Sequence, residues 1–409
     1  MATIYKYTAK DAAGKPNNGT LYAANHAAAV ADLNHRGLTP ITLIQTDSND
    51  KKNSLSSLFA TLPFTNRVKT QDKVIFSRQL ATMVAAGVPI ARALNILQEQ
   101  TESPKVKEMA RDLAKQVEGG QSLAKAMAAH PDIISHVYVS MVRAGEAGGI
   151  LDDVLDRLAE QEEKDAEIRS KVKSALMYPS VVGIATVVAF FFLMIFIVPK
   201  LASVFADMGA KLPIYTVIML NISAFLVNFW YVIIGLAIVA VVFFRLWHST
   251  PNGRHVIDKA LLKAPIFGKI IIKVNTARFA RTFGSLMFAG TPLLDALDVT
   301  KSALSNSIFQ RELNAIATEV KNGRALSAEL HGSKCFPPIV GQMVAIGEET
   351  GRLNEILVKL ATFYEREVDD VVNGLTAIIE PILILVLGGM VGFIAVSVIG
   401  PISSLSQAI

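Results

Sequence analysis

Acidic residues beside glycines are the first groups in this 409-residue chain whose type and spacing could do chemistry. Gly145-Glu146 opens the stretch GEAGGILDD, with Gly149, Asp152 and Asp153 close behind; Gly347-Glu348 opens GEETGRLNE, with Gly351 in the place of Gly149. Three kinds of chemistry suit the pattern. A glycine that supplies a permissive backbone, followed by a glutamate that complements the next helix N-terminus, makes an interhelical turn. The same carboxylate, left free, makes a contact for a partner. Joined by Asp152 or Asp153, it makes an oxygen site for a cation. The turn is the simplest of the three, because a lone carboxylate beside a turn is weak evidence for a metal.

Elsewhere the apparatus of catalysis is missing. No G-x-x-x-x-G-K-[ST] loop, G-x-S-x-G elbow or H-E-x-x-H helix occurs. The 7 histidines are scattered, and His26, His35 and His130 fall at predicted helix ends or turns. Cys335 is the only cysteine, so internal disulfides and multi-cysteine metal sites are excluded and the thiol reads as buried filler. Charges of 40 Lys and Arg against 35 Asp and Glu leave +5. That is too mild for a nucleic-acid binder and suits basic residues that face cytoplasm and anionic lipid. No enzyme activity, cofactor or metal is expected.

The elements that position these residues are set by the composition. Hydrophobic residues make up 51% of the chain and charged ones only 18%, against about 25% charged in an ordinary soluble domain, which points to the membrane. Three apolar runs carry that excess, at 180–198, 214–247 and 381–400. The first lies between Pro179 and Pro199, and the second carries Asn221, Ser223 and Asn228 in its first half, so its crossing is the later part or the helix is tilted. Apart from Arg245 near the end of the second, the runs contain no Asp, Glu, Lys, Arg or His. A solute transporter built on repeats, the competing class, would place such groups at membrane depth.

The chain also repeats itself. Phe76, Arg78, Gly87, Pro89 and Leu94 recur 203 positions later as Phe279, Arg281, Gly290, Pro292 and Leu297, and Pro179 recurs 202 positions later as Pro381. Each repeat is a polar helical block followed by one span, and the unrepeated second span returns the chain so that both blocks share a compartment. Arg169, Lys171 and Lys173 before the first span, and Arg245, Arg254, Lys259 and Lys263 after the second, put the blocks and the N-terminus in the cytoplasm. The C-terminus is then periplasmic. Glu380, beside Pro381, falls at the membrane interface or lines a contact between subunits.

Apolar spacing divides the first block, 70–178, into six helices, with stops at Gly87 and Gly119-Gly120 and starts at Pro89, Ser103-Pro104 and Ser122. The second block, 248–380, should repeat this six-helix bundle. The charged stretch 160–173 reads as a solvated helix face or as a docking surface for a cytoplasmic partner. At the N-terminus, 1–45 reads as a small α+β module: a strand in TIYKYTA, a turn-rich link in KDAAGKPNNG, a helix stopped by Gly37 and a strand in PITLI. A polar linker at 46–69, a periplasmic loop at 199–213 and a periplasmic tail at 401–409 complete the plan. The fold class is mainly α: a polytopic membrane protein with two repeated cytoplasmic bundles, three transmembrane helices and the N-terminal module.

FSRQLATMVAAGVPIARAL with FARTFGSLMFAGTPLLDAL, the paired GEAGG and GEETG, YPSVV with EPILI, VPKLASVFADMGAKLP and APIFGK together resemble the type II secretion system F family over nearly the whole chain. The resemblance implies an inner-membrane platform protein beneath a type IV pilus or a secretion pseudopilus. It also implies the partners: a cytoplasmic hexameric assembly ATPase, pilins or pseudopilins, other inner-membrane assembly proteins and further copies of the chain.

Overall fold

The computed structural model describes residues 3–10, 16–24, 26–35, 37–46, 68–200, 203, 214–265 and 267–406. The chain divides into two compact units, Met1–Arg67 and Val68–Ile409. The expected linker and loop fall almost wholly outside the described residues.

In the first unit, β1 (Thr3–Lys10) lies between β2 (Pro16–Ala23) and β3 (Thr39–Thr46), antiparallel to both. Helix α1 (His26–His35) follows β2. Leu21 and Ala23 are buried with Ala29 and Leu33 of the helix, which gives the strand its reason to form. β2 corrects the expected turn-rich link: PNNG starts an edge strand, where a proline needs no inward N–H.

In the second unit, the first repeat runs α2 (Thr70–Ala85), α3 (Ile90–Gln100), α4 (Pro104–Glu118), α5 (Leu123–Ala128), α6 (His136–Gly148) and α7 (Leu151–Phe192). After the second span, α8 (Ile214–Ser249), comes α9 (Pro251–Lys263), which has no counterpart in the first repeat. The second repeat is α10 (Phe267–Phe288), α11 (Leu293–Ala303), α12 (Ser307–Lys321), α13 (Leu326–Gly332), α14 (Pro338–Thr350) and α15 (Leu353–Ser406). Local signals repeat with the fold: Gly87, Gly120 and Gly149 have φ of 80°, 84° and 70°, and Gly290, Gly323 and Gly351 have 76°, 92° and 68°. At each of these helix ends a left-handed residue is needed, which glycine adopts without a Cβ clash. Buried Leu80, Leu94 and Met141 of one repeat share a continuous core with Phe279, Phe283 and Phe309 of the other.

The prolines do not bound the spans. α7 passes through Pro179 and on through a π-helical turn at Leu193–Ile197, and α15 passes through both Pro381 and Pro401. A proline costs one i→i−4 bond, and helices this long carry it, as membrane helices commonly do. The last helix of each block and its span are therefore one continuous helix: the boundaries read at 178 and 380 fall inside α7 and α15, and α15 continues past 401 to Ser406. Three helices are long and apolar enough to cross a membrane: Leu151–Lys200, Thr216–Ser249 and Leu353–Ser397. The first two meet at buried Met194, Val198, Met219 and Leu226, and Ile394 of the third packs against that cluster. The Ser223 hydroxyl donates to the Met194 carbonyl inside the π-helical turn, and the Thr216 hydroxyl donates to the Ser397 carbonyl at 3.0 Å. The polar first half of α8 is thus the half held between the other two spans.

Candidate functional site

Both Gly-Glu pairs sit inside helices, at the C-terminal ends of α6 and α14. Glu146 accepts from the backbone N–H groups of Leu123 at 2.6 Å and Ala124 at 3.1 Å, and Glu348 accepts from those of Leu326 at 3.1 Å and Ser327 at 3.3 Å. Each carboxylate therefore caps the short helix preceding its own, α5 or α13, not the helix that follows. The carboxylate thus complements a helix N-terminus, but one that lies 23 residues back in the chain and not the next helix. Gly145 lets α6 approach α7: a Cβ there would lie 3.0 Å from Val154 Cβ. Gly347 does the same in the second repeat, where a Cβ would lie 2.9 Å from Leu353 Cδ1. Gly149 and Gly351 supply the left-handed turns. Both oxygens of each glutamate are taken by backbone donors, and among the described residues no group of three or more His, Cys, Asp or Glu is placed to hold a metal ion. The Cys335 thiol is pushed up to about 11 by burial.

Charged chemistry concentrates instead where the two repeats meet. Arg78 grips Glu163 with two hydrogen bonds of 2.6 Å and donates to Asp156 with a third. Those hydrogen bonds hold the Glu163 carboxyl below the ordinary range. Arg281 grips Glu365 in the same bidentate way, at 2.7 to 2.9 Å. Arg281 does one thing more: its Nη1 donates to Glu160 of the first repeat at 2.8 Å. Around it Arg278 pairs with Asp165 at 2.8 Å, Gln161 donates to Thr282 at 3.1 Å and Lys171 pairs with Asp369 at 2.7 Å. The Arg157 guanidinium stands 3.5 Å over the Phe288 ring. Below this layer Ile168 is buried against Val368 and Val372.

The stretch 160–173 is thus partly engaged inside the molecule, through Glu160, Gln161, Asp165, Ile168 and Lys171, while Glu167, Arg169 and Lys173 stay exposed. Pattern alone does not reveal this: a mixed-charge helix face has the same composition whether water or a second helix covers it. One signal was available. Glu163 and Glu365 stand 202 positions apart and Arg78 and Arg281 203 apart, so the pairs repeat together.

Comparison with known proteins follows the same division. Residues 76–199 and 279–401 each match the family described as "Type II secretion system (T2SS), protein F", and residues 1–44 match "Type II secretion system protein F, N-terminal domain". The chain belongs to the type II secretion system protein F family. The twofold match to the protein F family falls on the repeats, from α2 through the π-helical turn to Pro199 and from α10 through Pro401. Among relatives, the type IV pilus assembly protein PilC of Myxococcus xanthus is 36% identical over 99% of this chain and 95% of its own length. PilC of Thermus thermophilus is 38% identical over 98% and 97%. The type II secretion system protein F of Xanthomonas campestris is 33% identical over 99% of both. The protein F repeats contain Arg78, Glu146, Arg281 and Glu348, and the last residues of the matched segments reach beyond Pro179 and Pro381 into the spans.

Proposed function

We propose that this chain is the inner-membrane platform of a type IV pilus or type II secretion machine, and not an enzyme. Its N-terminal module and two six-helix bundles face the cytoplasm and engage a hexameric assembly ATPase. Its three spans, ending in a periplasmic C-terminus, meet pilins or pseudopilins, other inner-membrane assembly proteins and further copies of the chain. The observation that carries this reading is mechanical. Two helices, α7 and α15, run unbroken from the charged junction of the repeats into the membrane, and Arg281 ties both to one guanidinium through Glu160 and Glu365. A push or twist on either bundle passes into two spans at once, with no loop in the path to absorb it. The relatives named for pilus assembly and for secretion support the machine.

Solute transport draws no comparable support. A transport path needs polar groups lining it at membrane depth, whereas Thr216 and Ser223 spend their hydroxyls on neighbouring carbonyls. The test is purification of the tagged full-length chain in mild detergent from cells assembling pili or secreting, with mass spectrometry of the co-purifying proteins. Recovery of an assembly ATPase and pilin-like proteins is expected. A preparation lacking both would overturn the reading.

A further inference from the structure

We propose that the groove between α7 and α10, at the membrane end of the helical unit, binds one anionic phospholipid. The groove encloses ≈ 340 Å³, within the range of about 300–1,000 Å³ found for small-ligand sites. Ile168, Val172, Ile270 and Val274 form apolar walls, and Arg169 and Lys173 stand at the rim. The neighbouring cations are already engaged: Lys171 by Glu167 and Asp369, Arg278 by Asp165. Arg169 and Lys173 are exposed, and neither makes a hydrogen bond or ion pair among the described residues. The carboxylate that feels Arg169 is Glu162, which also feels Lys73 and Arg278. Two cations on an apolar groove, with no carboxylate paired to them, call for an anion that carries a hydrocarbon tail.

Two features place the groove at the bilayer surface. After Lys173 no charged residue occurs until Lys200, and the intervening helix rises about 40 Å, the thickness of a bilayer with its headgroups. Helix α9 gives the second mark. It leaves the end of α8 across Thr250 alone and exposes Val256 and Ala260 beside Lys259 and Lys263, and the start of α10 adds exposed Phe267 and Lys269. Apolar residues interleaved with lysines on the exposed side of a helix next to a span form an interfacial pattern. Since α10 starts at Phe267, Ile270 and Val274 lie about one and two turns farther along. The lipid phosphate therefore meets Arg169 and Lys173 at headgroup level, and one acyl chain turns out of the bilayer to lie along the groove walls, since Ile168 and Val172 stand on the side of Lys173 away from the span. The second repeat has no such site, because Val371 and Leu375 stand in the places of Arg169 and Lys173.

This inference needs only that the chain lies in a membrane, so it stands or falls apart from the pilus or secretion reading. The test is native mass spectrometry of the detergent-purified full chain, titrated with phosphatidylglycerol and, separately, with phosphatidylcholine. Retention of one phosphatidylglycerol per chain, with phosphatidylcholine stripped, is expected. The double variant Arg169→Gln/Lys173→Gln should weaken retention at least ~10-fold, since each basic residue near a membrane surface contributes about 1 kcal/mol. Val274→Trp, which fills the groove, should do the same. The glutamine variant changes two exposed side chains and keeps the test decisive should the tryptophan variant misfold. Equal retention of both lipids, unchanged retention by the glutamine variant, or displacement by inorganic phosphate alone would each overturn the proposal.

Discussion

Arg281 Nη1 donates to Glu160 at 2.8 Å across 121 residues of chain, and this bond is what the second Arg–Glu pair has and the first lacks. Burial separates the two pairs as well: Arg281 and Glu365 are 9% and 14% exposed, against 36% and 39% for Arg78 and Glu163. Solvent screens an exposed pair to about 1 kcal/mol or less, whereas truncating one partner of a buried pair strands the other, at about 3–5 kcal/mol. Arg281→Ala should therefore lower the melting temperature of the detergent-solubilised chain several times more than Arg78→Ala. Equal shifts would show that the junction contributes nothing beyond the local pair.

The Gly-Glu pairs make a sharper local prediction. Replacing Glu146 with Ala removes the acceptor for two backbone N–H groups at the start of α5, a capping loss of about 0.5–2 kcal/mol. Amide hydrogen exchange should quicken at Leu123 and Ala124, and in Glu348→Ala at Leu326 and Ser327. Gly145→Ala should destabilise too, since its methyl would meet Val154 at 3.0 Å, whereas Gly183→Ala meets nothing within 4 Å and should be neutral. Unchanged exchange at those four amides would leave the glutamates free for a partner after all.

What could be read from the sequence divides by distance along the chain. Helix stops at Gly87 and Gly120, the cap at Ser122 and the apolar runs are local signals, and each sits where a short window of residues decides the conformation. The repeat was legible too, since a fixed offset needs only the sequence compared with itself. Partners brought together by packing were not. Glu146 finds its N–H groups on the helix before its own, Asp165 finds Arg278 from the other repeat at 113 residues, and β2 forms from a turn-like PNNG because β1 offers it an edge. Pro179 and Pro381 border the apolar runs without ending a helix for a related reason: a helix that continues for many turns on both sides outweighs one lost hydrogen bond.

Glu162 makes stability depend on pH. Burial raises its carboxyl pKa and Asp165 adds to the rise, while Lys73, Arg169 and Arg278 oppose it. A carboxyl that holds its proton more tightly folded than unfolded gives the native state the extra proton, so stability falls as pH rises from the ordinary value of 4.5 through the raised one. Glu162→Gln removes that loss. The variant should melt above the parent at pH 7, and the gap should close as the pH approaches 4. A gap independent of pH would remove Glu162 as its source.

Asp165 and Arg278 distinguish a junction from a docking surface within the same stretch of charge. Their side chains are 30% and 13% exposed and meet at 2.8 Å, so Asp165→Arg sets two guanidinium groups against each other where solvent screens them poorly. If the contact serves the junction, Arg278→Asp added to Asp165→Arg restores an ion pair of reversed sense and recovers most of the lost melting temperature, with a coupling of about 0.5–3 kcal/mol for residues in contact. Piliation or secretion should recover with it. A docking surface behaves in the opposite way, because a partner meets a reversed charge at position 165 whether or not position 278 has changed. Stability restored without function would therefore assign Asp165 a second role outside the fold, and recovery of both would place its charge wholly within the junction.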